Sequence, residues 1–477
     1  MASVQQQRPQ GTERRATPRE RVAVVGSGVS GLTAAYLLQR RYDVLLFEAD
    51  DRLGGHAHTH ELPDPLAGTL AVDSGFIVHN ERTYPNLLRL FGELGVATQE
   101  TEMSMSVRCL GCGLEYAGAR GARGIFARAA NLHDLRFLRM LGEIKRFHRH
   151  ARRLLAAPAG AAPDADPGAS PDSRPATAPN SDPRTSPTSG LSAAVDAEGV
   201  ALGRFLEQGG YSAYFADHFL VPLVSAVWST GPELVRRYPA RYLFEFLDHH
   251  GMLSVTGSPR WRTVVGGSRG YVERAAKGLS AVNVSTPVRA VRRDAGGVTL
   301  WDEAGERHEA DRVVLATHPD QALRLLADPT PDESAVLGAI AYSRNETVLH
   351  TDASVLPRHE AARSCWNYLV PHCGTQLGPT TERAVVTYHM NRLQRFEAAE
   401  DYLVTLNKTE AIDETRVLAR MVYEHPVYTP ESVAAQSRLP RLNTARTAYA
   451  GAYHGWGFHE DGCASGVAAA AAFGADW

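Results

Sequence analysis

Apolar residues along this chain switch between two periods. Arg21–Val25 is a short, nearly continuous apolar run, and Gly26-Ser27-Gly28-Val29-Ser30-Gly31 follows it. Leu32–Arg40 then reads as a helix, and Val44–Phe47 as a second strand ending at Glu48. Residues 201–255 have a helical pattern rich in aromatics, including Tyr211, Tyr214, Phe215, Phe219, Trp228, Tyr242, Phe244 and Phe246. Val282, Val284, Val288 and Val291 alternate as strands do, and Val298–Trp301 and Val313–Leu315 continue the pattern. Residues 380–391 and 417–423 add strand candidates. Helices and strands interleave, which predicts an α/β class with a mixed second region.

Three stretches depart from this pattern. Residues 156–190 hold eight prolines and no Val, Ile, Leu, Met, Phe, Trp, Tyr or Cys. Nothing there offsets the entropy of ordering, so the stretch reads as a disordered insertion in a surface loop. Residues 1–20 read as a disordered tail. Residues 120–153 carry ten Lys/Arg against Asp134 and Glu143, with Phe137, Met140, Leu141, Ile144 and Phe147 at helical spacing. That is a basic amphipathic helix. It packs by its apolar stripe, and its charge also suits peripheral contact with anionic lipid.

At 477 residues, with 44% hydrophobic and 22% charged, the chain can bury a core without metals or disulfides. A formal charge of −3 gives no electrostatic footprint for nucleic acid. Five cysteines make no disulfide framework. Cys109 and Cys112 form a lone C-x-x-C in a glycine-rich loop. Zinc needs two more ligands, and no second pair follows at matching spacing, so free thiols and no metal are expected. No transmembrane or leader pattern stands out, so a cytoplasmic place is expected, with contact at the inner membrane face through 120–153.

The first strand, glycine run, helix and second strand form a dinucleotide-binding unit. Gly26 makes the tight turn, Gly28 admits a pyrophosphate, and Gly31 lets helix and strand pack closely. The helix N-terminus faces the phosphates, and Ser30 stands in the glycine run just before it. Glu48 lies 20 residues after Gly28, where an acid binds ribose hydroxyls and disfavours a 2′-phosphate. Ala49 adjoins it.

Arg52-Leu53-Gly54-Gly55-His56 follows, and this resembles the R-x-G-G element of the flavin amine oxidase superfamily, which includes protoporphyrinogen oxidases and phytoene-type desaturases. Val72-Asp73-Ser74-Gly75-Phe76, Gly266-Gly267-Ser268, Val288, Ala316-Thr317-His318-Pro319 and Gly451–Gly466 keep the family's order. The branch it resembles most comprises bacterial flavoproteins encoded beside cyclopropane-fatty-acid-synthase-like methyltransferases, through His56, Trp366-Asn367-Tyr368 and Phe458–Gly462.

The resemblance implies a Rossmann-type FAD-binding domain of the amine oxidase fold, over 21–80, 255–325 and 440–477. A mixed sheet-plus-helix substrate domain would span 81–254 and 326–439. FAD would be held by Gly26, Gly28, Ser30, Gly31, Glu48, Ala49, Arg52, Gly54, Gly55, His56, Gly75, Phe76, Val288, Asp461, Gly462 and Cys463. Trp456, Phe458 and His459 would lie near the flavin, the first two as an aromatic cage, with no catalytic base assigned. No second glycine fingerprint exists for NAD(P)H. Amine oxidases of this family carry a lysine near the flavin; Lys145, Lys277 and Lys408 all fall in other contexts.

The function implied is removal of hydride from a hydrophobic, fatty-acyl or lipid substrate, passed on to an unidentified electron acceptor. Oxidation of a small amine is the alternative, and a lipid-binding carrier without chemistry is the alternative of another class. Three rival motifs stand beside these. His56, His58 and His60 could ligate a metal on one strand face. Gly266-x-Ser268-x-Gly270 matches a nucleophile elbow. Glu460 and Asp461 could form an acid–base pair, or Asp461 could cap a helix.

Overall fold

Strand Arg21–Val25 lies at the centre of a five-stranded parallel sheet. The order is Ala281–Asn283, Asp43–Phe47, Arg21–Val25, Arg312–Leu315, Thr447–Tyr449. Strands from three distant parts of the chain thus build one sheet. The structure is a computed structural model and describes residues 19–157, 200–254, 257–373 and 383–477. The proline-rich insertion, apart from its first two residues, and nearly all of the N-terminal tail lie outside the described residues.

The first helix, Val29–Leu38, begins three residues before the predicted Leu32, with Gly28 as its N-cap. It is buried almost all round because a second helix covers it: His459–Ala472, near the C-terminus. Small residues allow the approach. A Cβ on Gly462 would lie 2.6 Å from Val29, and one on Gly466 would lie 2.4 Å from the Ser30 carbonyl. An antiparallel three-stranded layer, Val288–Asp294, Gly297–Asp302 and Arg307–Ala310, joins the other side of the same unit.

A seven-stranded mixed sheet forms the second region. It runs Val417–Pro426, Tyr342–His350, Leu403–Leu406, Val385–His389, Trp366–Val370, Met105–Cys109, Glu115–Ala117. Only Trp366–Val370 and Met105–Cys109 pair in parallel. The aromatic-rich helices pack on one face of this sheet, and Phe137, Phe147, Phe215, Phe244 and Phe246 form their buried core. Arg293, Glu333 and Tyr449 tie the three-stranded layer and helix Pro331–Leu337 to the edge strand of the parallel sheet: both Arg293–Glu333 contacts are charge-assisted, one of them 3.0 Å.

The basic helix is shorter than predicted. It runs Leu135–Ala156 and not from residue 120. Asp134 ends the irregular approach by accepting from the backbone of Arg136 at 2.9 Å, a capping bond that fixes the helix start. Phe137, Met140 and Phe147 are fully buried, while Leu141 and Ile144 are half-buried. The predicted stripe is therefore the packing face. Among the described residues, no helix is long and apolar enough to cross a membrane.

Candidate functional site

A cavity of about 870 Å³ opens where the parallel sheet meets the seven-stranded sheet and the aromatic helices. Its first wall is the glycine turn and the loop after the second strand. Gly26, with φ of +98°, sits where a Cβ would lie 2.7 Å from the Ala316 carbonyl. Its N–H donates to Phe47 O at 2.8 Å, linking the turn to the second strand. Glu48 is held in place by Ser27 N at 2.9 Å and Asp50 N at 3.0 Å. Gly54 N donates to Ser27 O at 3.1 Å, which folds the Arg52–Gly55 element over the fingerprint.

This wall fits FAD. A Cβ built on Gly28 meets no atom within 4 Å, so that face of the turn is left clear for a ligand. Arg52 Nη1 and His56 Nε2 are buried without a protein partner, and both residues line the cavity. Buried polar groups of this kind are ordinarily satisfied, and a diphosphate supplies matching acceptors. Gly26, Gly28, Ser30, Glu48, Ala49, Arg52, Gly55, His56, Gly75, Phe76 and Val288 all line the cavity. Gly31 and Gly54 do not. Gly31 packs against the Gly26 carbonyl, and Gly54 lies against Ala57 and Val272.

The C-terminal motif is placed differently from expectation. Phe458 and His459 line the cavity at the start of helix His459–Ala472. His459 stacks on Phe76 at 3.7 Å and its Nε2 lies 2.9 Å from the Tyr271 hydroxyl. Burial, then His79, lowers its pKa to about 3, so the ring is neutral at pH 7. Asp461, Gly462 and Cys463 do not line the cavity: Asp461 lies beside Gly455, and Gly462 and Cys463 face the first helix. Asp461 accepts from Phe458 N at 2.9 Å and caps its own helix. Cys463 is buried beside Thr33.

Trp456 also lies off the cavity. Its indole packs among Tyr242, Phe246 and His249, while its backbone carbonyl accepts from Trp228 Nε1 at 2.9 Å. The Tyr242 and Tyr428 hydroxyls both donate to Gly455 O at 2.9 Å, which sets this loop. The aromatic wall is instead Trp228, Phe246, His250, Trp261 and Phe458, with Phe246 and Phe458 stacked at 4.8 Å. Trp228 and Phe246 stand in the aromatic-rich stretch of the sequence, but only tertiary packing turns them inward. Tyr423 and His425 form a third wall, 4.9 and 5.2 Å from His56. Their strand was legible and their role was not.

The rival motifs take other partners. His58 Nδ1 meets the Tyr423 hydroxyl at 3.1 Å and His60 Nε2 meets Ser74 Oγ at 2.9 Å, so with His56 they share no common point for a metal. Ser268 donates from N and Oγ to buried Asp73, at 3.0 and 2.8 Å. That bond makes Ser268 a brace between the Gly-Gly turn and the strand Gly68–Asp73, and no nucleophile. Glu460 accepts from Asn86 and Leu87 backbones and the Asn86 amide, capping helix Pro85–Leu94. The Cys109–Cys112 pair, expected to stand without further ligands, has Cys373 and His218 beside it.

The family model described as flavin containing amine oxidoreductase matches residues 29–351. The Mycobacterium tuberculosis protein AofH, provisionally named a flavin-containing monoamine oxidase, is 28% identical over 316 residues, 65% of this chain. The match spans 59% of that relative's length. Cyclohexylamine oxidase from Brevibacterium oxydans superposes with a TM-score of 0.64 at 16% identity, over 96% of this chain and 99% of that one. The CLA-producing fatty acid isomerase from P. acnes gives 0.59 at 15% identity, over 94% and 97%. These likenesses show the amine oxidase fold, and the family match covers well over half of the sequence. By that match, the chain belongs to the flavin-containing amine oxidoreductase family.

Proposed function

We propose that this chain is an FAD-dependent oxidoreductase acting on a hydrophobic substrate of the fatty-acyl or lipid class. The observation that supports the substrate class is the aromatic wall. Trp228, Phe246, Trp261 and Phe458 line the cavity with Met103, Val227 and Met252, and none of these carries a charge. None of the three lysines lines the cavity. The lining acids belong elsewhere: Glu48 and Asp50 adjoin the fingerprint, and Glu424 pairs with His318 at 3.2 Å. An apolar chain loses no hydrogen bonds on such a wall and gains about 25 cal/mol per Å² buried.

When bound, the flavin supplies acceptance of two electrons with a proton. The chain's own residues would hold and orient it. Arg52 and the Gly28 backbone would hold the diphosphate and Glu48 the ribose, and Phe458 and His459 begin the helix whose positive end would favour negative charge nearby. The aromatic wall excludes water from the substrate's side.

A small amine is the second reading, favoured by the names of AofH and cyclohexylamine oxidase. Anaerobic titration of the purified flavoprotein decides between them. Bleaching of the flavin absorbance by acyl substrates, with primary amines inert, is expected. Reduction by amines alone would replace the lipid reading. A colourless protein that takes up no FAD would point to a lipid carrier.

A lipid substrate also gives the basic helix a use. Leu135, Leu138, Arg139, Lys145, Arg149 and Arg153 fall on one helical face by their spacing, and all are exposed. Leu135 is 79% exposed. Arg146 differs, because it stacks on Tyr211 at 4.5 Å and donates to Gly210 O. Changing Arg139, Arg149 and Arg153 to Gln should weaken binding to anionic vesicles by about 3 kcal/mol at low salt, roughly 1 per residue. The flavin spectrum should not change. Equal sedimentation with neutral and anionic vesicles would remove the membrane contact.

A further inference from the structure

The turn between strands Met105–Cys109 and Glu115–Ala117 carries Cys109 and Cys112. Strand Trp366–Val370 pairs in parallel with the first of these, with Val370 opposite Cys109. Three residues later the chain brings Cys373 to the same end of the sheet. Leu110 N donates to Val370 O at 2.9 Å and Gly113 N to Cys109 O at 3.0 Å, which fixes the turn beneath it. A Cβ on Gly111 would lie 3.0 Å from Cys373 Sγ and 3.7 Å from Cys109 Sγ, so the thiols converge on this turn.

The fourth member comes from the helices. Ala216–Leu220 is a π-helical turn within the run from Ala213 to Trp228. Pro222 lacks the N–H that would bond His218 O in a regular helix. The Tyr116 hydroxyl takes that carbonyl instead, at 2.8 Å, and so seats His218 over the sheet end. His218 Nδ1 lies 3.0 Å from Tyr214 O, the usual arrangement for a ligating imidazole: with that nitrogen donating, Nε2 keeps its lone pair. Nε2 lies 3.4 Å from Cys112 Sγ.

All four ligand atoms lie within 4.8 Å of one another. Around a tetrahedral zinc, with Zn–S of about 2.3 Å and Zn–N of about 2.0 Å, sulfur and nitrogen sit roughly 3.5 Å apart. The observed Cys112–His218 separation matches that edge. Three thiols and one imidazole are soft ligands, suited to zinc and not to calcium or magnesium. None of the four lines the flavin cavity.

We propose that Cys109, Cys112, Cys373 and His218 form a closed, structural zinc site. It clamps the end of the seven-stranded sheet to the helices that supply the aromatic wall. Binding Zn²⁺ displaces the three thiol protons to solvent, while His218 enters neutral, leaving the site with one net negative charge. The four protein ligands complete the tetrahedron and leave no position for substrate.

The test uses the full chain, purified without an affinity tag or chelator. Elemental analysis should find one zinc per chain, and Cys373→Ser and His218→Ala should each hold less than a tenth of that. Cys365→Ser, a buried cysteine outside the cluster, should keep its zinc. Flavin content reports that each variant is folded. Co²⁺ added to metal-stripped, reduced protein should give the intense visible bands of tetrahedral cobalt thiolate. Denatured with chelator, the chain should titrate five thiols. The proposal is overturned by wild type with under a tenth of a zinc and no cobalt bands. It is also overturned by three titratable thiols, which mark a disulfide, or by folded variants that keep their zinc.

Discussion

A Gly28→Val chain is expected to fold and to carry no flavin. The two halves of that expectation rest on different observations. A Cβ at Gly28 meets no atom within 4 Å, and the residue's φ of −60° is one valine adopts freely. The substitution therefore costs the apo fold little. The same space borders the cavity between Gly28 and Gly55, whose own Cβ would lie only 3.2 Å from Gly28 Cα. A branched side chain there stands where the diphosphate must approach the backbone. Affinity for FAD should fall at least a hundredfold, about 2.7 kcal/mol. Gly31→Ala makes the contrast: its Cβ would lie 1.9 Å from the Gly26 carbonyl, so the turn itself must break. Flavin absorbance and a melting curve check both. Gly28→Val protein that is yellow and reducible like the wild type would mean the fingerprint does not hold the cofactor.

Local signals in this sequence were those whose partners lie close along the chain. Strand Arg21–Val25, the glycine turn, strand Asp43–Phe47 and Glu48 form one contiguous unit, and the structure places them with shifts of a residue or so. The first helix starts early because Gly28 caps it, a position that hydrophobic periodicity does not mark. Contacts across hundreds of residues were not legible. Phe458–Gly462 reads as one motif, yet its first residues line the cavity and its last pack on the first helix, because successive helical positions turn by 100°. Glu460 looks catalytic beside Asp461 until Asn86 and Leu87 arrive from 374 and 373 positions upstream. Likewise, Cys109 and Cys112 gain Cys373 through parallel strand pairing and His218 through a π turn. No spacing rule along the chain encodes either.

Acid should unfold this protein and release its cofactor well before ordinary carboxylates titrate. Eight histidines have pKa values lowered to about 3 or 4: His58, His60, His79, His250, His350, His425, His454 and His459. Burial is the first cause for every one of them, and His56 is lowered as well. In the unfolded chain they titrate near 6.5. Between pH 6.5 and 4 the unfolded state therefore binds more protons, and stability falls as pH falls. Four carboxyls work the other way. Burial raises Asp73 to about 6 and Asp461 to about 7 and lifts Asp217 and Glu460 as well, so their strain is present at neutral pH and relieved on acidification. Eight histidines outnumber these four. Each net proton taken up by the unfolded chain is worth about 1.4 kcal/mol per pH unit, so stability should fall steadily across this range. His56, His250, His425 and His459 line the cavity, so FAD should leave in the same transition. Urea midpoints from pH 8 to 5, with flavin fluorescence for release, measure this; a midpoint that holds or rises below pH 6 would sink it. His79→Phe sharpens the test. Neither ring nitrogen of His79 has a hydrogen-bond partner, and its ring packs against Phe91 at 5.4 Å. Phenylalanine keeps the packing and removes the titration. Stability at pH 8 should not drop, and the slope below pH 6 should shrink by up to one proton.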